Sequence, residues 1–226
     1  MKFNLSSIIL TFALLGTYCL AEDTETATEA TEASASESQA AFATGEAQAK
    51  AAGDIVPLSP VGDVVAAQAP NNQPSWVFYQ AGNGDLMGMR VSGPFSDGQR
   101  TASRVIVPSG GILPGSPIAA TTQNAGFQDP GKIQVFFFNR NNILSEARLN
   151  KDRNWVHGAD CSACIDQKVR YEAVAGSKFI YALGSTGERR RAGIRVGFQS
   201  VNFRNTISEA DRQNSVWSLA PLRDSA

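Results

Sequence analysis

The chain has 226 residues, a formal charge of −1 at pH 7, one histidine and three cysteines. A dedicated nucleic-acid-binding protein carries a clear basic bias, so this balanced charge argues against that class. A membrane-spanning helix needs roughly 20 consecutive apolar residues, and the sequence has no such run. We therefore expect neither a nucleic-acid partner nor a membrane span.

The N-terminus has the pattern of a secretory signal peptide. Lys2 precedes an apolar run over residues 8–16, and Cys19 and Ala21 are small residues at the positions that signal peptidase reads. We expect cleavage after Ala21. The sequence thus predicts a signal peptide over residues 1–21 and a secreted, extracellular protein.

An acidic segment rich in Ala, Thr, Glu and Ser follows over residues 22–53. It holds six Glu and one Asp against Lys50, and Phe42 is its only large apolar residue. Such a segment buries too little apolar surface to offset the entropy of ordering, so we predict a disordered stalk or propeptide. Residues 54–226 hold 18 Lys and Arg against 14 Asp and Glu. That length is enough for one sizeable domain.

Residues 54–226 contain three similar units, which open at Gly62, Gly115 and Gly176 with a short apolar strand. After a polar gap, each unit continues with a second strand, which reads SWVFYQ, KIQVFFFN or GIRVGFQS. In the later two units, Asn-containing turns lead to a third strand in ILSEARL and TISEADR, and to a fourth in NWVHGA and VWSLAPL. About four strands per unit predict an all-β, β-propeller-like fold with three four-stranded blades.

The order of these motifs resembles the fungal fucose-specific lectins of the Aleuria type. The shared features are IRV followed by an aromatic residue and Gln, a turn with Asn, I-x-E and then Trp, and they are strongest in the second and third units. Those lectins are six-bladed β-propellers, so the resemblance implies a lectin domain over residues 54–226 that binds fucose or fucosylated glycans. Only three units fit this chain. Either two chains close one ring as a homodimer, which removes exposed sheet edges, or the fold is an incomplete relative.

In that family the sugar lies between adjacent blades, where an arginine and a glutamate bind its hydroxyls and aromatic rings pack on its apolar face. On the third unit, the resemblance names Arg195, Glu209 and Trp217 as carbohydrate-binding residues. A cation and a carboxylate suit adjacent hydroxyls, and a ring suits the methyl group of fucose. The alternative is a cross-strand ion pair beside a core tryptophan. Because Arg195 lies within the apolar GIRVGF, where an unpaired charge is costly, we favour binding.

The same positions of the second unit are Gln134, Glu146 and Trp155. Glutamine replaces the arginine there and brings neither charge nor a planar fork, so we expect a weaker pocket. The first unit has Trp76 near the arginine position and Met89 near the glutamate position. We therefore expect no working pocket in the first unit.

Cys161 and Cys164 lie in the sequence DCSAC. In an oxidising compartment this spacing indicates a local disulfide. A zinc site would need two further ligands, of which only His157 is available, and a thioredoxin-like pair would need a βαβ context. We predict no metal and no cofactor.

An enzyme is not expected. Glu146 and Glu209 are equivalent positions of successive units, so they would lie in separate pockets, unlike the paired carboxylates of a glycoside hydrolase. No GxSxG or HExxH pattern is present. The sequence therefore favours a lectin, and the alternative is a secreted interaction or effector-like protein on a degenerate lectin scaffold that no longer binds sugar.

Overall fold

The structure is a computed structural model, and it describes residues 58–68, 74–92, 99–123, 132–150, 152–184 and 193–224. The signal peptide predicted over residues 1–21 and the acidic segment over residues 22–53 lie outside these ranges. Within the described ranges, no helix is long and apolar enough to cross a membrane.

The described residues form twelve strands, arranged as three four-stranded antiparallel sheets. Sheet 1 consists of β1 Pro60–Gln68, β2 Ser75–Ala81, β3 Leu86–Ser92 and β4 Gln99–Val107. Sheet 2 consists of β5 Ala119–Gln123, β6 Lys132–Phe138, β7 Leu144–Leu149 and β8 Trp155–His157. Sheet 3 consists of β9 Ile180–Gly184, β10 Ile194–Phe198, β11 Ser208–Gln213 and β12 Val216–Pro221. The prediction of an all-β fold with three four-stranded units is confirmed.

The glycines that open the three units share a backbone conformation. Gly62, Gly115 and Gly176 all have positive φ, at 90°, 68° and 78°. This left-handed region favours glycine, because a Cβ there is strained. Gly115 and Gly176 lie in turns before their sheets, whereas Gly62 lies within β1 at an irregularity of its register between Pro60 and Val64.

Sheet 2 lies between the other two sheets, which explains the apolar sequence of its second strand. Ile133, Val135 and Phe137 of β6 belong to the core shared with sheet 1, whereas Phe136 and Phe138 belong to the core shared with sheet 3. All five side chains are at most 2% exposed. A strand buried on both faces is apolar at most consecutive positions rather than at alternate ones, and Gln134 is the buried polar exception in β6.

Candidate functional site

The two faces of sheet 3 follow from its strand register. Directly opposed residues of an antiparallel pair place their side chains on one face, and neighbours along a strand alternate between faces. Gly197 pairs with Glu209 and with Tyr181, whereas Arg212 pairs with Trp217. Sheet 3 therefore has an inner face, which includes Trp217 and packs against sheet 2, and an outer face, which includes Glu209 and points away from sheet 2.

Three polar side chains meet on the outer face of sheet 3, and they are termed the open fork. Arg195 Nη2 donates a hydrogen bond to Glu209 Oε2, and the Tyr181 hydroxyl donates to Glu209 Oε1 at 2.7 Å. The Arg195 side chain is 50% exposed and the Glu209 side chain is 15% exposed. The fold thus brings together two of the three residues that the sequence assigns to the third unit, and adds a tyrosine.

Gly197 makes room for this tyrosine. A side chain at position 197 would overlap the Tyr181 ring, because the ring crosses directly over the glycine. Glycine inside a strand often marks such a close approach. Sequence reasoning missed Tyr181, although the second glycine of GIRVGF is a signal that another group packs against that strand.

The charges of the open fork stabilise one another. Burial raises the pKa of Glu209, but the hydrogen bonds from Arg195 and Tyr181 outweigh burial and hold this pKa below its usual value. The hydrogen bond to Glu209 also raises the pKa of Arg195. Burial, with the bond to Glu209, raises the pKa of Tyr181 to about 12. At neutral pH the open fork therefore presents a cation, a carboxylate and a neutral phenol.

Trp217 does not belong to the open fork, so the structure does not bring it together with Arg195 and Glu209 as the sequence-based grouping expects, and its role in carbohydrate binding stays a prediction. It lies on the inner face, is 6% exposed, and its ring centroid is 6.4 Å from that of Phe136 in sheet 2. The cause is the tight turn between β11 and β12. Asn214 and Ser215 form its tip with positive φ, which fixes a register that places Trp217 and Glu209 on opposite faces.

A second polar group lies between sheets 2 and 3, and its members Gln134, Glu146, Arg148 and Arg212 are termed the buried cluster. Gln134 and Glu146 are fully buried, and Arg148 Nε lies 3.6 Å from Glu146 Oε1. Arg212 comes from sheet 3 and donates to Gln123 Oε1 of sheet 2 at 2.7 Å. Its guanidinium carbon also lies 5.6 Å from the centroid of the Trp217 ring. Two cations therefore stand beside Glu146, although glutamine occupies the arginine position of this unit.

Sequence reasoning missed both arginines, but only one had a visible signal. Arg148 follows Glu146 by two residues, so strand alternation places both on one face. The equivalent residue of the third unit is Asp211, which pairs with Arg195. Arg212 belongs to the next sheet, and a single unit gives no sign that it would approach Glu146.

The environment of Glu146 differs from that of Glu209. Burial raises the pKa of Glu146, and the opposing effects of Arg148, Arg212 and the backbone N–H of Ile165 do not cancel this rise. The Ile165 N–H donates to Glu146 Oε2 at 3.1 Å. Burial also lowers the pKa of Arg212. The buried cluster is thus a desolvated charge group rather than a solvent-facing one.

Several buried polar atoms between sheets 2 and 3 have no hydrogen-bond partner among the described residues. They are Nε2 and Oε1 of Gln134, Oε1 of Glu146 and Nε1 of Trp217. An unsatisfied buried polar group costs about 1–3 kcal/mol. Both donors and acceptors are represented, so this region offers the groups that a polyhydroxylated ligand requires.

Trp155 is also separated from the residues that the sequence groups with it. It pairs with Leu149, on the face of sheet 2 opposite to Glu146. Its ring makes edge-on contacts with Trp76 and Phe78 of sheet 1, at centroid distances of 5.4 and 5.5 Å. The structure therefore does not bring Trp155 together with Glu146, because the tryptophan of each later unit faces the preceding sheet, and a role of Trp155 in carbohydrate binding stays a prediction.

The first unit has no polar site at the equivalent place. By register, Gly88 rather than Met89 occupies the glutamate position, because Gly88 pairs with Phe78 as Glu146 pairs with Phe136. A Cβ on Gly88 would overlap the side chain of Ile106. An apolar core thus fills the space between sheets 1 and 2.

Cys161 and Cys164 form a disulfide. Among the residues that the structure describes, no group of three His, Cys, Asp or Glu side chains could hold a metal ion.

A cavity of about 230 Å³ is lined by Phe137, Ser145 and His157, together with turn residues of sheets 1 and 2. This cavity is not lined by any of the residues that the sequence analysis predicts to bind sugar. We therefore identify the open fork and the buried cluster as candidate sites from their polar side chains and not from the volume of a cavity.

Solved structures with a similar fold include three proteins. AofleA from Arthrobotrys oligospora is 23% identical, with a TM-score of 0.53, over 75% of this chain and 45% of that one. Aleuria aurantia lectin, in complex with Fucα1-6GlcNAc, is 20% identical, with a TM-score of 0.51, over 75% and 48%. SapL1 lectin, in complex with α-methyl fucoside, is 21% identical, with a TM-score of 0.50, over 72% and 49%.

The three sheets are β-propeller blades. The resemblance to the Aleuria-type lectins that the sequence suggests is thereby confirmed for the fold. No protein-family model matches the chain, and a search of curated proteins finds no match. The chain spans slightly less than half the length of each propeller named above.

Proposed function

We propose that the chain is a secreted lectin that binds fucose or fucosylated glycans at the open fork. The contact of Arg195 with Glu209, beside Tyr181 and open to solvent, is the observation that carries this proposal. Two propellers of similar fold are lectins solved with fucose-containing ligands. The signal-peptide pattern of residues 1–21 supports secretion.

The open fork has the donors and acceptors that adjacent sugar hydroxyls need. A guanidinium carries five N–H donors, so Arg195 keeps donors beyond the one given to Glu209. Each carboxylate oxygen of Glu209 keeps a lone pair. Neighbouring hydroxyls accept from the arginine and donate to the carboxylate in charge-assisted hydrogen bonds, and the Tyr181 ring offers an apolar surface to the methyl group.

The buried cluster is a second and weaker sugar site in this proposal. Gln134 and Glu146 supply polar atoms that have no hydrogen-bond partner within the described residues, and Trp217 supplies a ring from the next sheet. Gln134 brings no charge, and a ligand must separate packed side chains to enter. We therefore expect lower affinity here than at the open fork.

Two chains close one ring in this proposal, as a homodimer. The described residues of one chain form three blades, the chain spans slightly less than half of each similar propeller, and propellers have about 4 to 8 blades. The outer face of sheet 1 includes Val64 and Val105, which are 52% and 47% exposed. If the outer face of sheet 1 in one chain packs on the outer face of sheet 3 in the other chain, the open fork of that second chain lies between two blades.

The proposed activity is binding without catalysis. Glu146 faces the space between sheets 2 and 3, whereas Glu209 lies on the outer face of sheet 3. Two carboxylates on different sheets do not flank one glycosidic bond, as hydrolysis requires. Release of free sugar from a bound glycan would contradict this part of the proposal.

A glycan array tests the function. We expect the secreted chain to bind fucosylated glycans, and Arg195→Ala to weaken binding about 10- to 100-fold, because a charged hydrogen bond contributes about 1.5–3 kcal/mol. Arg223→Ala is the matched control, since Arg223 is an exposed arginine just beyond β12, and it should bind like the unmodified chain. Equal binding by both variants would overturn the assignment of the open fork.

The alternative function is that of a secreted interaction or effector-like protein. Its support is that sheets 1 and 2 enclose an apolar core and that Gln134 and Glu146 are fully buried. Under this alternative, the folded chain binds nothing on the array. Light scattering on the same sample reports whether two chains associate.

A further inference from the structure

We propose that the Cys161–Cys164 turn is a positioning device for Glu146, and that breaking its disulfide weakens ligand binding at the buried cluster but not at the open fork. The binding half of this inference rests on the proposed function. The positioning half does not, because it concerns contacts within the chain.

The short fourth strand of sheet 2 creates the need for such a device. Strand β8 covers only Trp155–His157, and its pairing with β7 stops at Ala147, one residue beyond Glu146. In sheet 3, by contrast, β12 continues far enough for Ala220 to pair with the equivalent glutamate. The main chain of Glu146 therefore has no β8 residue beside it.

The turn after the disulfide takes over this role. Asp166 Oδ1 accepts a hydrogen bond from the Glu146 N–H at 3.3 Å, and the Ile165 N–H donates to Glu146 Oε2 at 3.1 Å. Two consecutive residues thus hold both the main chain and the carboxylate of Glu146. Ile165 is fully buried, so water does not compete readily for its N–H.

The disulfide fixes the start of this turn. Cys164 directly precedes Ile165, and its N–H donates to the Cys161 carbonyl at 2.9 Å. Both cysteines are at most 3% exposed. A covalent link between residues three apart limits the backbone conformations open to the turn, and so the direction of the Ile165 N–H.

Holding the carboxylate matters for binding because the other charges of the cluster depend on it. Arg148 and Arg212 both face Glu146, which is the one carboxylate among the four residues of the buried cluster, and the Asp166 carboxylate lies in the adjoining turn. A Glu146 side chain released from Ile165 would approach the arginines more closely. It would then offer its oxygen atoms to them rather than to a sugar hydroxyl.

Amide hydrogen exchange of the full secreted chain tests the positioning half. We expect the Ile165 amide to exchange at least tenfold faster in the Cys161→Ser/Cys164→Ser variant, and the Val196 amide in sheet 3 to keep its rate. Glu146→Gln should retain slow exchange at Ile165, because its amide oxygen still accepts, whereas Glu146→Leu should lose it. Unchanged exchange at Ile165 in the double-serine variant would overturn the role of the disulfide, and unchanged exchange in Glu146→Leu would overturn the contact between Ile165 and Glu146.

Calorimetric titration with methyl α-fucoside tests the binding half. We expect the double-serine variant to lose the weaker of two binding events and to keep the stronger one, and Asp166→Asn, which retains an acceptor oxygen, to keep both. Loss of both events, or of neither, in the double-serine variant would contradict the selective effect. If the unmodified chain binds no fucoside while Ile165 responds as expected, the proposed function fails and the positioning role stands.

Discussion

Glu146 and Glu209 occupy the same register position in successive sheets, yet their surroundings differ in almost every respect. Glu209 is partly exposed and held by two side chains, and its pKa is lowered. Glu146 is fully buried and held by a backbone N–H, and its pKa is raised. Repetition of a residue in a repeat protein therefore does not imply repetition of its role, because the neighbouring sheet determines its solvation.

The residues paired with these two glutamates also differ between the sheets. In sheet 2, Phe136 pairs with Glu146 and Ala119 pairs with Phe136, so a large ring fills the space beside the carboxylate. In sheet 3, the large and small residues are exchanged. Gly197 stands in the position of Phe136, and Tyr181 stands in the position of Ala119.

The tryptophans offer the largest test of this comparison. Trp217→Ala should lower the free energy of unfolding by about 3–5 kcal/mol, because a buried ring between sheets 2 and 3 is removed. Arg195→Ala should change it by less than about 1 kcal/mol, since a half-exposed ion pair contributes little. Urea unfolding measures both. If both substitutions lower the free energy of unfolding by the same small amount, Trp217 does not contribute to the core and is available to bind sugar beside Arg195 and Glu209.

The exchange of glycine and tyrosine offers the next test. Gly197→Ala should destabilise the chain by about 1–3 kcal/mol, because the added Cβ overlaps the Tyr181 ring and displaces it from Glu209. The double variant Gly197→Ala/Tyr181→Ala should recover part of that loss. Additive losses in urea unfolding would show that the two residues do not contact each other.

The two carboxylates should also respond to pH in opposite directions. The lowered pKa of Glu209 adds stability above the usual glutamate pKa, and this contribution disappears as the pH falls through the lowered value. The raised pKa of Glu146 makes its ionisation costly, so the chain loses stability as the pH rises from the usual glutamate pKa through the raised value. Unfolding free energies of Glu146→Gln and Glu209→Gln, measured from about pH 2 to pH 8, check both signs, because the Glu209 contribution changes below the usual glutamate pKa. If the free energy of unfolding depends on pH in the same way in both variants, the pKa values of the two carboxylates are not shifted in opposite directions.

The smallest effect is expected for the tyrosine hydroxyl. Tyr181→Phe removes one hydrogen bond to Glu209 and should cost about 0.5–1.5 kcal/mol. Tyr171→Phe is the matched control, because Tyr171 lies outside the open fork. Comparison of the two unfolding midpoints in urea gives the result, and a larger loss in the control would argue against the contact.

The fold could be predicted because its signals are local and repeated. The quoted second strands of all three units coincide with β2, β6 and β10, and the opening glycines have positive φ. The side-chain contact between Arg195 and Glu209 could also be predicted, since both residues lie within one unit. These features depend on residues close together in the chain, where strand and turn preferences act directly.

The assembly of the site could not be predicted in the same way. The approach of Arg212 to Glu146 depends on how two sheets pack, which no single unit encodes. The position of Trp217 is an intermediate case, because the two-residue turn of Asn214 and Ser215 already fixes the face that it occupies. The turn after Cys164 replaces a missing strand partner, and its sequence carries no sign of that role.

A nuclear magnetic resonance titration of the secreted chain with methyl α-fucoside shows whether the sugar binds at the open fork. We expect the Arg195 side-chain resonance and the Tyr181 ring resonances to shift first and most. Arg195→Ala should remove the shifts of the Tyr181 ring, and Arg223→Ala should preserve them. Shifts confined to residues outside the open fork, or none at all in the folded chain, would show that fucose does not bind there.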